Sequence, residues 1–252
     1  MKVYCYINKG IDKVNCDDRV LINNSILAEG FFETELLIEQ KSVFAVADGV
    51  GGNKAGYYAA TLAMVAMSES NMPTDLSSES IESLILEENQ RVISLSNTNL
   101  RYDRMATTLS GICSDGEKWF LFHVGNTRVY VWAYGTLSQL TEDHTWVRDM
   151  QINGYSEETI MESSRQSEIT ACMGGGNDSL IEKLQVTDIT PLIKNARRIL
   201  ITSDGIHDFI KHSILEASME RINYPDEYFK QAVQFARSGG SLDDISILMI
   251  DL

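Results

Sequence analysis

Val46-Ala47-Asp48-Gly49-Val50-Gly51-Gly52-Asn53-Lys54-Ala55-Gly56 joins the end of an apolar run, Val43 to Ala47, to a glycine-dense turn and a helix-forming stretch that opens at Ala55. An aspartate at the tip of a buried strand is held rigidly, with its carboxylate projecting where a cation can sit. Glycines beside it let backbone carbonyls approach the same cation without steric cost. Asp-Gly after a strand is, by itself, only a common turn. Here the pattern recurs. Ile199-Leu200-Ile201-Thr202-Ser203-Asp204-Gly205 is a second apolar run ending in Asp-Gly, and Asp243-Asp244 precedes the apolar run Ile245 to Ile250. Three acidic strand ends and one unusual glycine turn predict a metal site.

Outward from this stretch, Val3 to Ile7 and Leu36 to Ala47 read as strands and Ala55 to Ser68 as a buried helix. Ile81, Leu84, Ile85, Val92 and Leu95 recur at helical spacing and predict an amphipathic helix between Ser78 and Asn97. From Thr107 to Leu140 the texture changes. Thr108 to Ser114, Lys118 to Val124, Arg128 to Tyr134 and Thr136 to Leu140 are broken by Asp115-Gly116, Gly125-Asn126 and Gly135, which reads as an antiparallel meander. Trp146 to Ser167 is polar, with helical fragments and few anchoring apolar residues, and predicts a mobile surface segment. A strand (Arg198 to Thr202), a helix (Pro225 to Ala236) and a last strand (Ile245 to Ile250) follow. Antiparallel runs dominate and helices cluster at two places, so the expected class is α+β, sheet packed on sheet with helices outside.

The 252 residues suffice for one large domain, and no Ser/Gly/Pro-rich linker or internal repeat divides them. A net charge of −15 repels phosphate backbones and anionic lipid, which disfavours a role at nucleic acid or a membrane surface. Cys5, Cys16, Cys113 and Cys172 are scattered, with no Cys-x-x-Cys, which argues against zinc and against a disulfide scaffold. The N-terminus lacks a signal-peptide pattern, and no apolar stretch approaches the ~18 to 20 residues of a membrane span. These features predict a soluble cytoplasmic protein with reduced thiols.

Asp17-Asp18, Asp48, Asp204, Asp208 and Asp243 are the acidic residues at strand ends. Hard oxygen ligands without His or Cys select Mg²⁺ or Mn²⁺. Two such ions ~3.5 to 4 Å apart can activate a water and aim it in line at a phosphorus. That chemistry needs no side-chain nucleophile, and no nucleophile motif is present: neither Gly-x-Ser-x-Gly, nor Cys-x5-Arg, nor a Gly-x4-Gly-Lys-Ser/Thr phosphate loop.

The chain resembles the metal-dependent protein serine/threonine phosphatases called PPM or type 2C, in their bacterial, stand-alone form. The resemblance runs in family order through Lys13-Val14-Asn15-Cys16-Asp17-Asp18, Asp48-Gly49-Val50-Gly51-Gly52 with Gly56, Ala106-Thr107-Thr108-Leu109, and His123-Val124-Gly125-Asn126-Thr127-Arg128. It continues through Thr141-Glu142-Asp143-His144-Thr145-Trp146-Val147, Ile169-Thr170-Ala171-Cys172-Met173-Gly174, Ser203-Asp204-Gly205-Ile206-His207-Asp208 and Asp243-Asp244-Ile245-Ser246. It implies one catalytic domain over 1–252, a four-layer α-β-β-α sandwich of two antiparallel sheets, and a flap subdomain at about 145–168. It also implies two Mn²⁺ or Mg²⁺ ions and a weak third. Asp48 would bridge the two ions, with the Gly49 carbonyl on the second. Asp204 and Asp243 would hold the first ion. Asp18 would support the second, with Asp17 in the outer shell or acting through water. Asp208 corresponds to a third-metal ligand. The implied substrates are phosphoserine and phosphothreonine proteins, targets of a Ser/Thr kinase, and the implied form is a monomer.

Three residues depart from the family pattern. Lys13 stands for a phosphate-binding Arg and lacks its planar two-pronged grip. Asn126 replaces an acidic third-metal ligand, and Asp244 replaces an Asn, adding charge beside the site. His207 and His144 read as structural rather than as proton donors. Besides a phosphatase, the sequence allows a pseudophosphatase that binds or regulates, or a two-metal hydrolase of small phosphate esters.

Overall fold

Strands covered on both faces read as unbroken apolar runs, and the three runs beside the aspartates are interior strands of two sheets. The structure of the protein, a computed structural model, describes every residue except 38, 51–54 and 223. In chain order the strands are β1 (Lys2–Asn8), β2 (Arg19–Ile22), β3 (Ser25–Leu27), β4 (Gly30–Glu35), β5 (Ser42–Ala47), β6 (Ala106–Thr107), β7 (Leu109–Ser114), β8 (Trp119–Val124), β9 (Arg128–Ala133), β10 (Thr136–Gln139), β11 (Met173–Gly174), β12 (Gln185–Asp188), β13 (Arg198–Thr202) and β14 (Ile245–Asp251). The helices are α1 (Gly56–Met67), α2 (Ser78–Thr98), α3 (Trp146–Ile152), α4 (Glu157–Met161), α5 (Thr190–Ile193), α6 (Asp204–His207), α7 (His212–Met219) and α8 (Pro225–Ser238). One sheet has the order β10-β9-β13-β14-β1-β4 and the other β12-β8-β7-β5-β2-β3, while β11 pairs with β6. Every ladder in the two large sheets is antiparallel.

Alternation along the strands sorts side chains into layers. Phe44 and Val46 of β5, Ile199 and Ile201 of β13, and Leu248 and Ile250 of β14 meet between the sheets. Val43 and Ala45 point the other way and pack with Ala63, Met64, Ile81 and Ile85 of α1 and α2. Leu200 and Met249 pack with Leu215, Met219, Phe229 and Val233 of α7 and α8. The result is the expected helix–sheet–sheet–helix sandwich. Its helices start where local chemistry favours it: Ser77 and Ser80 form a reciprocal capping box at α2, and Pro225 opens α8.

Two readings need correction. The run Leu36 to Ala47 is not one strand: β4 and β5 belong to different sheets, and Gln40 N donates to Leu37 O (3.4 Å) in the connection between them. The meander is likewise split. β7 and β8 form one hairpin and β9 and β10 another, each in its own sheet. Gly125-Asn126 is therefore a crossover and not a hairpin turn. Gly125 has φ +113°, where a Cβ would press within 2.6 Å of the Thr108 side chain.

The antiparallel registers bring the acidic ends together. Thr202 at the end of β13 pairs with Ile247 near the start of β14, and Arg19 at the start of β2 pairs with Ala47 at the end of β5. The segments carrying Asp204, Asp243, Asp18 and Asp48 consequently emerge at one end of the sandwich. Between 145 and 168 only Ile160 is buried, so the flap segment is held by its base and not by a core of its own.

Candidate metal centre

Asp48 follows β5 directly, and its backbone is fixed before its side chain is considered. Asp48 N donates to Thr108 Oγ1 (2.9 Å), while Asp48 O accepts from Thr108 N (2.8 Å) and Thr107 Oγ1 (2.9 Å). Gly49 faces Gly56 so closely that a Cβ on Gly49 would overlap the Gly56 backbone. That contact fixes the approach of α1 to the site. Gly51 and Gly52 of the glycine turn lie outside the described residues.

Two carboxylates are removed from water here, Asp18 fully and Asp48 nearly so, and Asp204, half-buried but with its Oδ1 enclosed, heads α6 behind them. Burial first, and then the Asp18, Asp204 and Asp243 carboxylates, push Asp48 well above the ordinary aspartate range. Burial likewise lifts Asp18 to about 7, with Asp244 and Asp204 adding to the rise and the Ser246 hydroxyl opposing it. Asp204 is raised by burial and then by Asp243. Two of these groups keep an idle oxygen. Asp18 Oδ2 accepts from Ser246 Oγ (2.6 Å) and Asp204 Oδ2 from Asn126 Nδ2 (3.0 Å), yet Asp18 Oδ1 and Asp204 Oδ1 are buried without a hydrogen-bond partner. Buried anions that repel one another and hold unpartnered oxygens suit a bound cation, whose charge would reverse every one of these shifts. The all-oxygen donor set suits Mg²⁺ or Mn²⁺. Among the described residues, no three His, Cys, Asp or Glu side chains close around a single point at ligand distance.

Asp243 contributes differently. It is 45% exposed and paired with the Lys13 ammonium, which also bonds Asp244 Oδ2 (3.0 Å) and lies 3.9 Å from Asp17 Oδ2. Burial opposes the charge on Lys13, but Asp243 and Asp244 outweigh it and hold the ammonium above its usual value. Asp17 caps α1, its Oδ1 accepting from Tyr57 N (3.0 Å). Asp208 ends α6 on the exposed side, and Asn126 reaches Asp204 rather than Asp208. His207 is tied through Nδ1 to Thr202 Oγ1 (2.8 Å), and burial keeps it neutral. His144 Nδ1 accepts from Gly125 N (3.0 Å), and its own N–H donates to Gly125 O (2.8 Å). Both rings are anchored through Nδ1, while His207 Nε2 is buried without a hydrogen-bond partner.

Sequence reasoning missed the support from Arg237 at the end of α8. Its guanidinium donates to Asp243 O (2.7 Å), Ser241 O (3.0 Å), Asn8 Oδ1 (3.0 Å) and Lys9 O (3.0 Å). A cation in a last helical turn is the only local signal for such a tie.

An antiparallel sandwich whose strand ends bring carboxylates together at one edge is the architecture of a metallohydrolase family, and the sequence itself assigns that family. Residues 33–238 match the profile of Protein phosphatase 2C, and the chain belongs to that family. It is 25% identical over 229 residues to the serine/threonine phosphatase stp of Listeria welshimeri, covering 88% of each chain. It is 24% identical over 218 residues to the protein phosphatase PhpP of Streptococcus pneumoniae, covering 84% of this chain and 86% of that one. The fold superimposes on the serine/threonine phosphatase Stp1 of Staphylococcus aureus with a TM-score of 0.80 at 18% identity, over 99% and 94% of the two chains. It also matches the catalytic domain of the serine/threonine protein phosphatase PstP, solved with two manganese ions, with a TM-score of 0.72 at 22% identity, over 100% and 99%.

Proposed function

We propose that this chain is a Mn²⁺- or Mg²⁺-dependent protein phosphatase that hydrolyses phosphoserine and phosphothreonine. The observation that carries the reading is the buried, mutually repelling trio of Asp18, Asp48 and Asp204 with its two idle oxygens. The likeness to manganese-bound PstP supports two ions. Asp48 would reach both, Asp204 and Asp243 one of them, and the Gly49 carbonyl and Asp18 the other, with Asp17 behind. Asp208 would serve a third, weaker ion only without help from Asn126, whose amide hydrogens are directed to Asp204.

When bound, the two ions supply the charge that activates a water and offsets that of the phosphate. The residues of the chain do the rest. Thr107 and Thr108 hold the Asp48 backbone in place, and Ser246 orients Asp18. Lys13 brings a cation to the rim, where a phosphate dianion would lie. Neither nearby alternative offers a nucleophile: His207 is held by Thr202 through Nδ1 with its Nε2 buried, and burial and Asp18 keep the Cys16 thiol protonated. The reaction is therefore direct hydrolysis, without a phosphoenzyme.

The relatives, named as serine/threonine phosphatases, support phosphoproteins as substrates. A Ser/Thr kinase supplies such substrates. No helix among the described residues is long and apolar enough to cross a membrane, and all four cysteines are free and buried. Both facts are compatible with a cytoplasmic monomer comprising one catalytic domain.

Phosphate release from a phosphothreonine peptide with Mn²⁺ tests the reading. Turnover lost on chelation and in Asp204→Asn is expected. Mn²⁺ binding by calorimetry without turnover would make the protein a pseudophosphatase. Faster hydrolysis of nucleotides than of phosphopeptide would make it a small-ester hydrolase.

A further inference from the structure

Loop 10–17 and loop 241–244 meet in a knot centred on one buried carboxylate. Asp244 is 1% exposed. Its Oδ1 accepts from Gly10 N (2.7 Å), and its Oδ2 accepts from Asp17 N (2.7 Å) and Lys13 Nζ (3.0 Å). Ile11 N adds a bond to Leu242 O (2.9 Å). The contact is close: a Cβ on Gly10 would lie 2.7 Å from Leu242 O and 2.9 Å from Lys13 Cδ. Both oxygens of Asp244 are thus engaged with donors of loop 10–17, and neither is left to coordinate an ion.

This arrangement needs a carboxylate and not an amide. An asparagine offers one acceptor oxygen, so its NH₂ would face either the Gly10 N–H or the Asp17 N–H and Lys13, donor against donor. It also needs Lys13. A buried carboxylate held by two neutral donors alone keeps most of its desolvation cost, and the ammonium at 3.0 Å offsets it. The charge on Asp244 is therefore offset first by Lys13, although it still adds to the rise of Asp18.

We propose that Lys13 and Asp244 form one functional pair, in which Asp244 is the positioning residue that holds loop 10–17 so that the Lys13 ammonium faces the substrate phosphate. The pair rests on the phosphatase reading for its role, but not for its existence. Asp17 and Asp243, which flank Lys13, are held in the same knot: Asp17 by its N–H, and Asp243 through its Oδ1, which accepts from Asp244 N (2.7 Å).

The test is a double-mutant cycle of Lys13→Met and Asp244→Asn on the Mn²⁺-loaded full chain, with a chromogenic aryl phosphate as substrate and inorganic phosphate as inhibitor. Each single variant is expected to raise KM and the phosphate inhibition constant about tenfold, with kcat changed by less than about threefold. The double variant should be no worse than the worse single. Single effects that multiply to about a hundredfold in the double, or an Asp244→Asn that lowers kcat while leaving KM and phosphate inhibition unmoved, would overturn the pair. Melting provides a second arm, which needs neither turnover nor a folded Asp244→Asn single. Lys13→Met strands a buried charge and should melt about 5 °C lower, and adding Asp244→Asn should recover part of that loss. A double that melts below Lys13→Met would refute the pairing. A wild type without turnover would defeat the phosphatase reading, while the melting arm would still decide the pair.

Discussion

Asp48 illustrates the conflict built into this site at the scale of a single residue. Its backbone is fixed by Thr107 and Thr108, and its carboxylate is then held against Asp18 and Asp204 inside the protein. Such crowding destabilises the metal-free fold, so removing a charge should help stability and harm function. Asp48→Asn is expected to raise the melting temperature of chelated protein by about 2 to 4 °C, as a gain of ~1 kcal/mol would in a chain of this size. It should also abolish turnover and the stabilisation that Mn²⁺ confers. A lower melting temperature in chelator would contradict the repulsion. Ser246 has no such conflict: it orients Asp18 through a single hydroxyl bond. Ser246→Ala should weaken Mn²⁺ binding by roughly tenfold, as outer-shell partners do, with little loss of fold. Calorimetric titration reads this directly. Asp48, Asp204 and Asp243 were legible in the sequence because each lies beside an apolar run, and Asp18 through its place in the family's first motif. The partners of Asp244 in loop 10–17 and the Arg237 bonds to Asn8 and Lys9 were not, since those contacts join residues more than 220 positions apart.

The flap base shows the same logic at the scale of elements. His144 grips Gly125 through both its backbone N–H and its ring, Thr170 N donates to His144 O (2.8 Å), and Trp146 N donates to Glu168 O (2.9 Å). His123 stacks beside it, with Nδ1 on Ser110 Oγ (2.7 Å) and Nε2 on Glu142 O (2.8 Å). Burial holds His123 down at about 4. Burial, with His123 beside it, holds His144 at about 3. The unfolded chain takes up these protons near pH 6.5. The neutral rings therefore contribute their full stability above that pH and lose it progressively as the pH falls toward 4 and 3. In chelated protein the buried carboxylates Asp18 and Asp48, raised by burial, take up protons over the same range and oppose this loss, so the histidine contribution is read as a difference between variants. His144→Asn, which keeps an acceptor for Gly125 N but cannot titrate, should change its melting temperature between pH 7 and pH 5 less unfavourably than the wild type. The same change in both would discount the His144 contribution. Elements apolar on both faces, such as β5, β13 and β14, were readable from sequence, as was α2 with its regular stripe. β2, β3 and β4 were not: β2 and β3 are short, and β3 and β4 are edge strands covered less completely. The split of the expected meander escaped detection for a different reason. A glycine-asparagine pair serves a hairpin and a crossover equally well, and only the pairing of β9 with β13 distinguishes them.

At the scale of the whole molecule, the layers share side chains too extensively to unfold separately. Phe44 and Val46 of one sheet meet Ile199, Ile201 and Leu248 of the other, and each sheet carries its own helices on the reverse face. Calorimetry should therefore show one cooperative transition, shifted upward by Mn²⁺ in proportion to the logarithm of its concentration above saturation. Two resolved transitions would separate the sandwich into independent parts. The position of β14 has a further consequence. It lies between β1 and β13, pairing with the first along seven residues and with the second along five. On the ribosome, β1 is made first and waits with one edge bare until residues 245–251 leave the exit tunnel. Asp243 arrives just ahead of that strand. Until then the proposed metal site lacks one of its carboxylates, and the vulnerable interval of the nascent chain is the time for which that edge goes unpartnered.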